Sequence, residues 1–315
     1  MKYTIAQLKQ RQSLPLEAKL VLARRRIVEF YERFDGNVYV AFSGGKDSTL
    51  LLHLVREIYP EVPAVFVDTG LEYPELRKFA LTTSNLVVLK PKKTFRQVIE
   101  DHGWPLISKR VANAIDVVKN PTPKNAASRK CYLTGETRTR PNSPFKIPAK
   151  WRFLIEAPVK VSAKCCYFTK KHPLDAYMKQ TGRKSYTGMM ASDGEQRLFV
   201  YLKNGCNAFD GKKPTSAPLG VWLEQDVLTY LKRERIPIAP VYGEIVENGL
   251  LGGLVCSGVR RTGCVFCVFG ITHDPRPNRF EQLALSHPKL HEYVMENLGL
   301  GPVLDLLGFP RGERR

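Results

Sequence analysis

The sequence contains no run of 18 apolar residues, and Met1–Leu14 is polar where a leader would be charged and then apolar. Neither a membrane span nor a secretory signal is expected, and the expected setting is cytoplasmic. Cysteine is sparse, with seven in 315 residues, and in that setting the thiols read as ligands or free groups, not as a disulfide frame. Of the six histidines, only His287 and His291 have helical spacing. Pro288 lies between them, and no further partner completes a zinc-protease pattern. Acid is also short. Against 49 Lys and Arg stand 30 Asp and Glu, a formal charge of +19, which favours a polyanionic partner such as a nucleotide, tRNA or DNA. There is no internal repeat and no low-complexity tail.

The length and a 43% hydrophobic content suffice for one large or two medium domains. Helical spacing over Leu14–Phe34 predicts a helix ending near Gly36. After it, strand-like and helix-like segments alternate. Asn37–Phe42, Pro63–Val67 and Leu86–Leu89 read as strands, and Ser48–Ile58, Pro74–Leu81 and Thr94–His102 as helices. This order predicts an α/β fold with a Rossmann-like parallel sheet and helices on both faces. A helix over Pro173–Lys179, a strand over Lys184–Ala191 and an amphipathic helix over Leu223–Ile236 extend it. Short helices and a cysteine-rich, mostly helical part follow. The expected segments are 1–35 (helical), 36–240 (nucleotide-binding) and 241–315 (Cys-x-x-Cys and terminal helices).

Lys119–Trp151 interrupts the alternation with five prolines and eight Lys or Arg against one Glu. It reads as a basic loop, either merely solvated or folded over a phosphate or a tRNA or DNA backbone, with Arg129, Lys130, Arg138 and Arg140 as contacts.

Val38–Ser48, "VYVAFSGGKDS", runs from an apolar strand directly into two glycines, a lysine and a leucine-rich helix. Gly44 and Gly45 allow a sharp turn and close approach by a ligand. Their amides and the helix start form a positive hollow for phosphate, to which Ser43 and Ser48 add hydroxyls and Lys46 a cation. The G-x-x-x-x-G-K spacing of a Walker A loop is absent. Asp47 either orients the loop or helps hold Mg²⁺, a hard cation suited to carboxylate and phosphate oxygens. Asp68-Thr69-Gly70 ends the next strand, where such sheets place ligands.

Ser43–Ser48 resembles the pyrophosphate loop (PP-loop) of the adenine-nucleotide α-hydrolases. "VFVDTGLEYPE" at Val65–Glu75 resembles the phosphoadenosine phosphosulfate and adenylyl sulfate reductases of that superfamily. "SAPLGVWLEQDVLTYLKRERIPIAPVYGE" and "YTGMMASDGEQR" are similar to further family segments, although Met190 stands where the family has Arg, and Gly194 where it has Ser. Arg197 keeps its place. The resemblance implies ATP as the nucleotide, with Ser43, Gly44, Gly45, Lys46, Asp47, Ser48, Asp68, Thr69 and Gly70 around it, and Lys46, Asp47, Asp68 and Arg197 in the chemistry.

Cys165-Cys166 and Cys264-x-x-Cys267 are separated by 97 residues. Four thiolates in this form suit an iron–sulfur cluster or zinc, and spacing does not separate the two. The pattern looks like the [4Fe–4S] site of adenylyl sulfate reductases and of DNA phosphorothioation enzymes. Cys256 is an alternative ligand to Cys165 or Cys166. Cys131 reads as an incidental thiol or a sulfur carrier.

Three functions follow as expectations. The first is an ATP-dependent sulfurtransferase that forms AMP and pyrophosphate, acts on nucleic acid and draws sulfur from a donor such as a cysteine desulfurase. The second is a sulfite-forming reductase. The third is a non-catalytic nucleotide- and cluster-binding module. The reductases carry a nucleophilic cysteine in a Glu-Cys-Gly-Leu-His tail, and no cysteine follows Cys267. The intact Ser-Gly-Gly-Lys-Asp-Ser loop suits ATP, so the first function is favoured.

Overall fold

The computed structural model describes residues 1–211, 213–249 and 252–312. In chain order the elements are α1 (Ile5–Gln12), α2 (Leu16–Arg33), β1 (Val38–Phe42), α3 (Lys46–Ile58), β2 (Ala64–Val67), α4 (Pro74–Leu81), β3 (Leu86–Leu89), α5 (Phe95–His102), α6 (Lys109–Lys119) and α7 (Ala126–Thr134). They continue with α8 (His172–Thr181), β4 (Lys184–Thr187), α9 (Glu195–Asn204), β5 (Asn207–Ala208), β6 (Thr215–Ser216), α10 (Glu224–Arg233), β7 (Ile245–Glu247), β8 (Leu254–Cys256), α11 (Arg279–Ser286), α12 (Pro288–Glu292) and α13 (Leu300–Leu307). Among the described residues no helix is long and apolar enough to cross a membrane.

The chain divides into two compact units. The first comprises Met1–Asp68, Glu72–Lys90 and Pro173–Thr262. It holds a sheet in the order β3-β2-β1-β4-β6-β5, with all neighbours parallel except β5 against β6. Alternation along β1 explains the layers. Val38, Val40 and Phe42 enter one core with Leu20, Ile27 and Phe30 of α2 and with the leucines of α3. Tyr39 points to the opposite face and meets Tyr177 of α8 edge-on, with ring centroids 5.3 Å apart. Helices thus cover both faces, as a parallel sheet requires. Strands β2 and β3 extend the sheet from one side of β1, and β4 adds on the other. The order therefore reverses between β1 and β4, and their carboxyl ends mark the crevice where ligands bind in such folds.

The second unit comprises Thr69–Leu71, Pro91–His172 and the segment beginning at Gly263. It is mainly helical, with α5, α6, α7 and α11 to α13. Phe95 packs on Trp104 and Phe266, at centroid distances of 5.9 and 6.1 Å. Leu71 O accepts the amide of Val265 at 2.8 Å, which ties the short Thr69–Leu71 strip into this unit.

Two expectations are corrected. The stretch 119–151 is not a loop throughout. Thr122 caps a short 3-10 turn, α7 follows it, and Gly135 closes α7 in the left-handed conformation. Arg129, Lys130 and Cys131 lie on that helix, and Cys131 is buried. The strand expected over 184–191 stops at Thr187, because Met190–Asp193 folds into a 3-10 turn in which Asp193 accepts the Met190 amide at 3.1 Å.

Candidate functional site

The first unit gathers its chemistry at the β1–β4 crevice. β1 ends at Phe42, and the chain reverses through Gly44, whose φ of +72° is the left-handed conformation that glycine adopts without strain. Leu76 Cδ2 and Ala80 Cβ of α4 lie 3.0 and 3.2 Å from where a Gly44 side chain would begin. Gly45 then starts α3 with no side-chain cap.

The loop's hydroxyls serve the loop itself. Ser48 Oγ donates to Gly45 O at 2.9 Å, the Gly45 amide donates to Ser43 Oγ at 3.3 Å, and the Ser43 amide donates to Ser48 Oγ at 3.2 Å. The two hydroxyls are 3.0 Å apart, and Ser43 is left to donate to Ser48. From across the crevice Gly188, just past β4, presses backbone on backbone. A Cβ there would stand 3.0 Å from Asp47 O and 3.2 Å from Ser48 N.

Lys46 is buried, with its side chain 4% exposed. Its ammonium lies 3.3 Å from Glu224 Oε1 on α10, 3.4 Å from Arg260 O and 3.9 Å from Asp47 Oδ1. The Lys46 amide donates to Tyr242 Oη at 3.2 Å, and that hydroxyl is 2.6 Å from Thr262 Oγ1. Burial pushes the Glu224 carboxyl up, but Lys46 and Arg260 outweigh it and hold the group below its usual range. Asp47 goes the other way. Burial dominates, Asp193 and Glu224 add repulsion, and its carboxyl is raised despite Lys46 and Arg261. Asp47 Oδ1 is buried without a hydrogen-bond partner.

Sequence reasoning named the loop but not Glu224, Tyr242, Arg260 and Thr262. Glu224 and Tyr242 lie in the family-like stretch 216–244 and Arg260 and Thr262 just before Cys264, yet their partners lie far along the chain, 196 residues away for the Tyr242 contact. Arg197 is linked to the site through Asp193, whose Oδ2 is 3.4 Å from it and whose Oδ1 is 3.3 Å from Arg261. Asp68 directly follows β2, 9% exposed, and Arg77 grips both of its oxygens at 2.8 and 2.7 Å. Thr69 and Gly70 belong to the second unit, where Thr69 Oγ1 accepts the Leu71 amide at 3.1 Å.

The cysteine quartet lies wholly in the second unit. Burial raises the Cys165 thiol well above the ordinary range, and Cys264, Cys166 and Cys267 raise it further. Cys267 is pushed up to about 11, first by burial and then by Cys264 and Cys166. Cys165 therefore feels all three of the other thiols, and Cys267 feels Cys264 and Cys166. Cys264 and Cys267 share a tight turn, in which the Cys267 amide donates to Cys264 O at 3.0 Å. Arg279, clamped by Asp274, donates to the carbonyls of Cys267 and Phe269, both at 3.0 Å. No group of three His, Cys, Asp or Glu among the described residues converges as ligands of one metal ion. A multi-iron cluster spreads its thiolates further apart than one ion does, because iron and sulfide stand between them. A donor set of four thiols with no carboxylate fits such a cluster. Cys256 belongs to the first unit, where Lys46, Glu224 and Asp47 are its charged neighbours.

The fold and crevice define the class, a Rossmann-like α/β domain with the Ser43–Ser48 glycine loop at its switch point. Within that class, residues 37–130 match the family described as phosphoadenosine phosphosulfate reductase domain. The chain is 24% identical over 126 residues to an adenosine 5'-phosphosulfate reductase of Bacillus cereus, covering 36% of this chain and 54% of that protein. It is 29% identical over 97 residues to a phosphoadenosine 5'-phosphosulfate reductase of Xylella fastidiosa, covering 29% and 41%. The chain thus spans about half or less of the length of these relatives. A solved phosphoadenylyl-sulfate reductase from Candida auris superposes with a TM-score of 0.39 at 13% identity, over 76% of this chain and 91% of that one.

Proposed function

We propose that the chain is an adenylating enzyme that uses ATP, forms AMP and pyrophosphate, and replaces an acceptor oxygen with sulfur. The observation that carries this reading is the buried Lys46 ammonium beside a finished loop, a cation held in place before any ligand arrives. The acceptor oxygen attacks the α-phosphorus of ATP, and the bond to pyrophosphate breaks. Lys46 and the loop amides neutralise the departing charge. Asp47, whose Oδ1 has no hydrogen-bond partner, would hold Mg²⁺ against the phosphates. Hydrosulfide then displaces AMP, so the acceptor gains sulfur and no electrons change hands. Cys165, Cys166, Cys264 and Cys267 would hold a [4Fe–4S] cluster, which when bound supplies an iron site for sulfide or for electrostatic positioning. Arg197, Arg129, Lys130, Arg138 and Arg140 would face a nucleic acid acceptor. Asp68, already gripped by Arg77, serves better in orienting the β2 end than in binding metal.

A second reading is favoured by the matched family and by the names of the relatives: reduction of phosphoadenosine or adenosine phosphosulfate to sulfite. One experiment separates the two. Protein purified without oxygen is assayed for pyrophosphate release from ATP, with and without tRNA or DNA, and for sulfite release from each phosphosulfate with a thiol reductant. Pyrophosphate that depends on nucleic acid supports the first reading. Sulfite with intact ATP establishes the second.

A further inference from the structure

Residues 109–153 of the second unit carry eleven Lys and Arg against two acids, Asp116 and Glu136. Both acids are engaged, Asp116 by Lys164 at 3.3 Å and Glu136 by Lys130 at 2.9 Å. The surface is thus strongly cationic, with no free carboxylate on this stretch to offset it. Solvated basic faces are common, and charge alone would not distinguish this one.

The aromatic residues distinguish it. Phe145 is 54% exposed and Phe153 43% exposed, while Trp151 and Leu154 beside them are buried. The segment that bears both rings is fastened to the end of α7. The Ser143 amide donates to Gly135 O at 2.7 Å, the Ile147 amide to Tyr132 O at 2.8 Å, and Arg152 to Leu133 O at 3.1 Å. Arg110 of α6 adds a bond to Pro144 O. The backbone is anchored on either side of Phe145, and Phe153 O accepts the amides of Glu156 and Ala157 at 3.1 and 3.0 Å, so neither ring sits on a free loop. Lys146, Lys150 and Arg152 alternate with them along the chain.

Phe153 keeps one ring contact, with Trp151 at a centroid distance of 6.4 Å, and is otherwise open to solvent as Phe145 is. Two such rings within nine residues among cations match what unpaired nucleic acid requires. Phosphates meet the ammonium and guanidinium groups, and bases stack on the rings. A duplex hides its base faces and would use only the charge. We propose that this surface binds a single-stranded or looped segment of nucleic acid, with Phe145 and Phe153 as stacking platforms. The proposal rests on the reading above only in taking nucleic acid as the acceptor.

The test uses the full chain and a fluorescent 20-nucleotide single strand, with its duplex and inorganic polyphosphate as comparisons. Binding is followed by anisotropy across a salt series without ATP. Phe145→Ala and Phe153→Ala are each expected to weaken single-strand binding by roughly 5- to 150-fold, with the duplex and the salt slope unchanged. Arg138→Ala with Arg140→Ala is expected to weaken both forms and reduce the salt slope by about 0.7 per charge removed for the single strand. All the substituted side chains are exposed, and thermal melts confirm folding. The proposal is overturned if the ring variants bind the single strand as the parent does. It is equally overturned if the duplex binds as tightly as the single strand, or if polyphosphate displaces the strand at equal phosphate. Pyrophosphate release from ATP is assayed separately, with and without the oligonucleotide, while binding is measured without ATP, so failure of the ATP reading would be seen apart from failure of binding.

Discussion

Lys46 and Glu224 form an ion pair with one partner buried: the ammonium is 3.3 Å from Oε1, and the side chains are 4% and 27% exposed. The pair holds the cation in place, but it also sets a negative charge beside the proposed phosphate site.

Glu224→Gln is therefore expected to separate stability from binding. The folded Glu224 carboxyl lies below its unfolded value, so its contribution is present above about pH 4.3 and is lost as pH falls through the lowered folded value. The variant should melt lower than the parent at pH 7, by about 1 kcal/mol once partial exposure is allowed for, and the deficit should shrink as pH falls through the lowered folded value. It should also bind ATP more tightly, by roughly 2- to 10-fold. Melts across pH and calorimetric titration read both effects. A deficit that does not change with pH would sink the electrostatic account.

Tyr242→Phe removes the oxygen that accepts the Lys46 amide. An amide left unsatisfied costs about 1–3 kcal/mol, so the empty protein should melt several degrees lower. A bound phosphate can take the vacated amide, and ATP should then raise the melting point of the variant more than that of the parent. Thermal shift with and without ATP measures the difference.

These partners mark the limit of what the sequence discloses. The strand–loop–helix unit from Val38 to Ile58 was legible because its apolar pattern changes period at two glycines. The helices α6 and α9 were not named, although Ser108 caps α6 and Val111, Ala114, Ile115 and Val118 are buried along it. α7 left a weaker trace, since Cys131 is its one buried residue and prolines surround it. Tyr242 and Glu224 carried no local signal at all. Their roles arise from long-range packing, which periodicity does not encode.

Arg77→Ala should cost stability and leave the Lys46 loop in place. Asp68 loses its bidentate partner while staying 9% exposed, at an expected cost of about 1–3 kcal/mol. If pyrophosphate release falls in proportion to folded protein, Asp68 is structural. A rise in the Mg²⁺ concentration needed for half activity would instead place Asp68 near the metal.

Serine at Cys165, Cys166, Cys264 or Cys267 should each abolish iron and sulfide retention after anaerobic reconstitution. Serine at Cys256 or Cys131 should leave both at the parent level. Elemental analysis also separates the cluster from zinc, since zinc would arrive without acid-labile sulfide. Loss of iron in Cys256→Ser would move that thiol into the ligand set.

The mutual hydrogen bonds of Ser43 and Ser48 have a kinetic consequence. A loop of this length, disordered when empty, would surrender about 1–2 kcal/mol of backbone entropy for each residue fixed on capture. Here that ordering is completed during folding, so a ligand meets a mould already set. The rate of capture is then governed by encounter and charge, not by waiting for the loop to close.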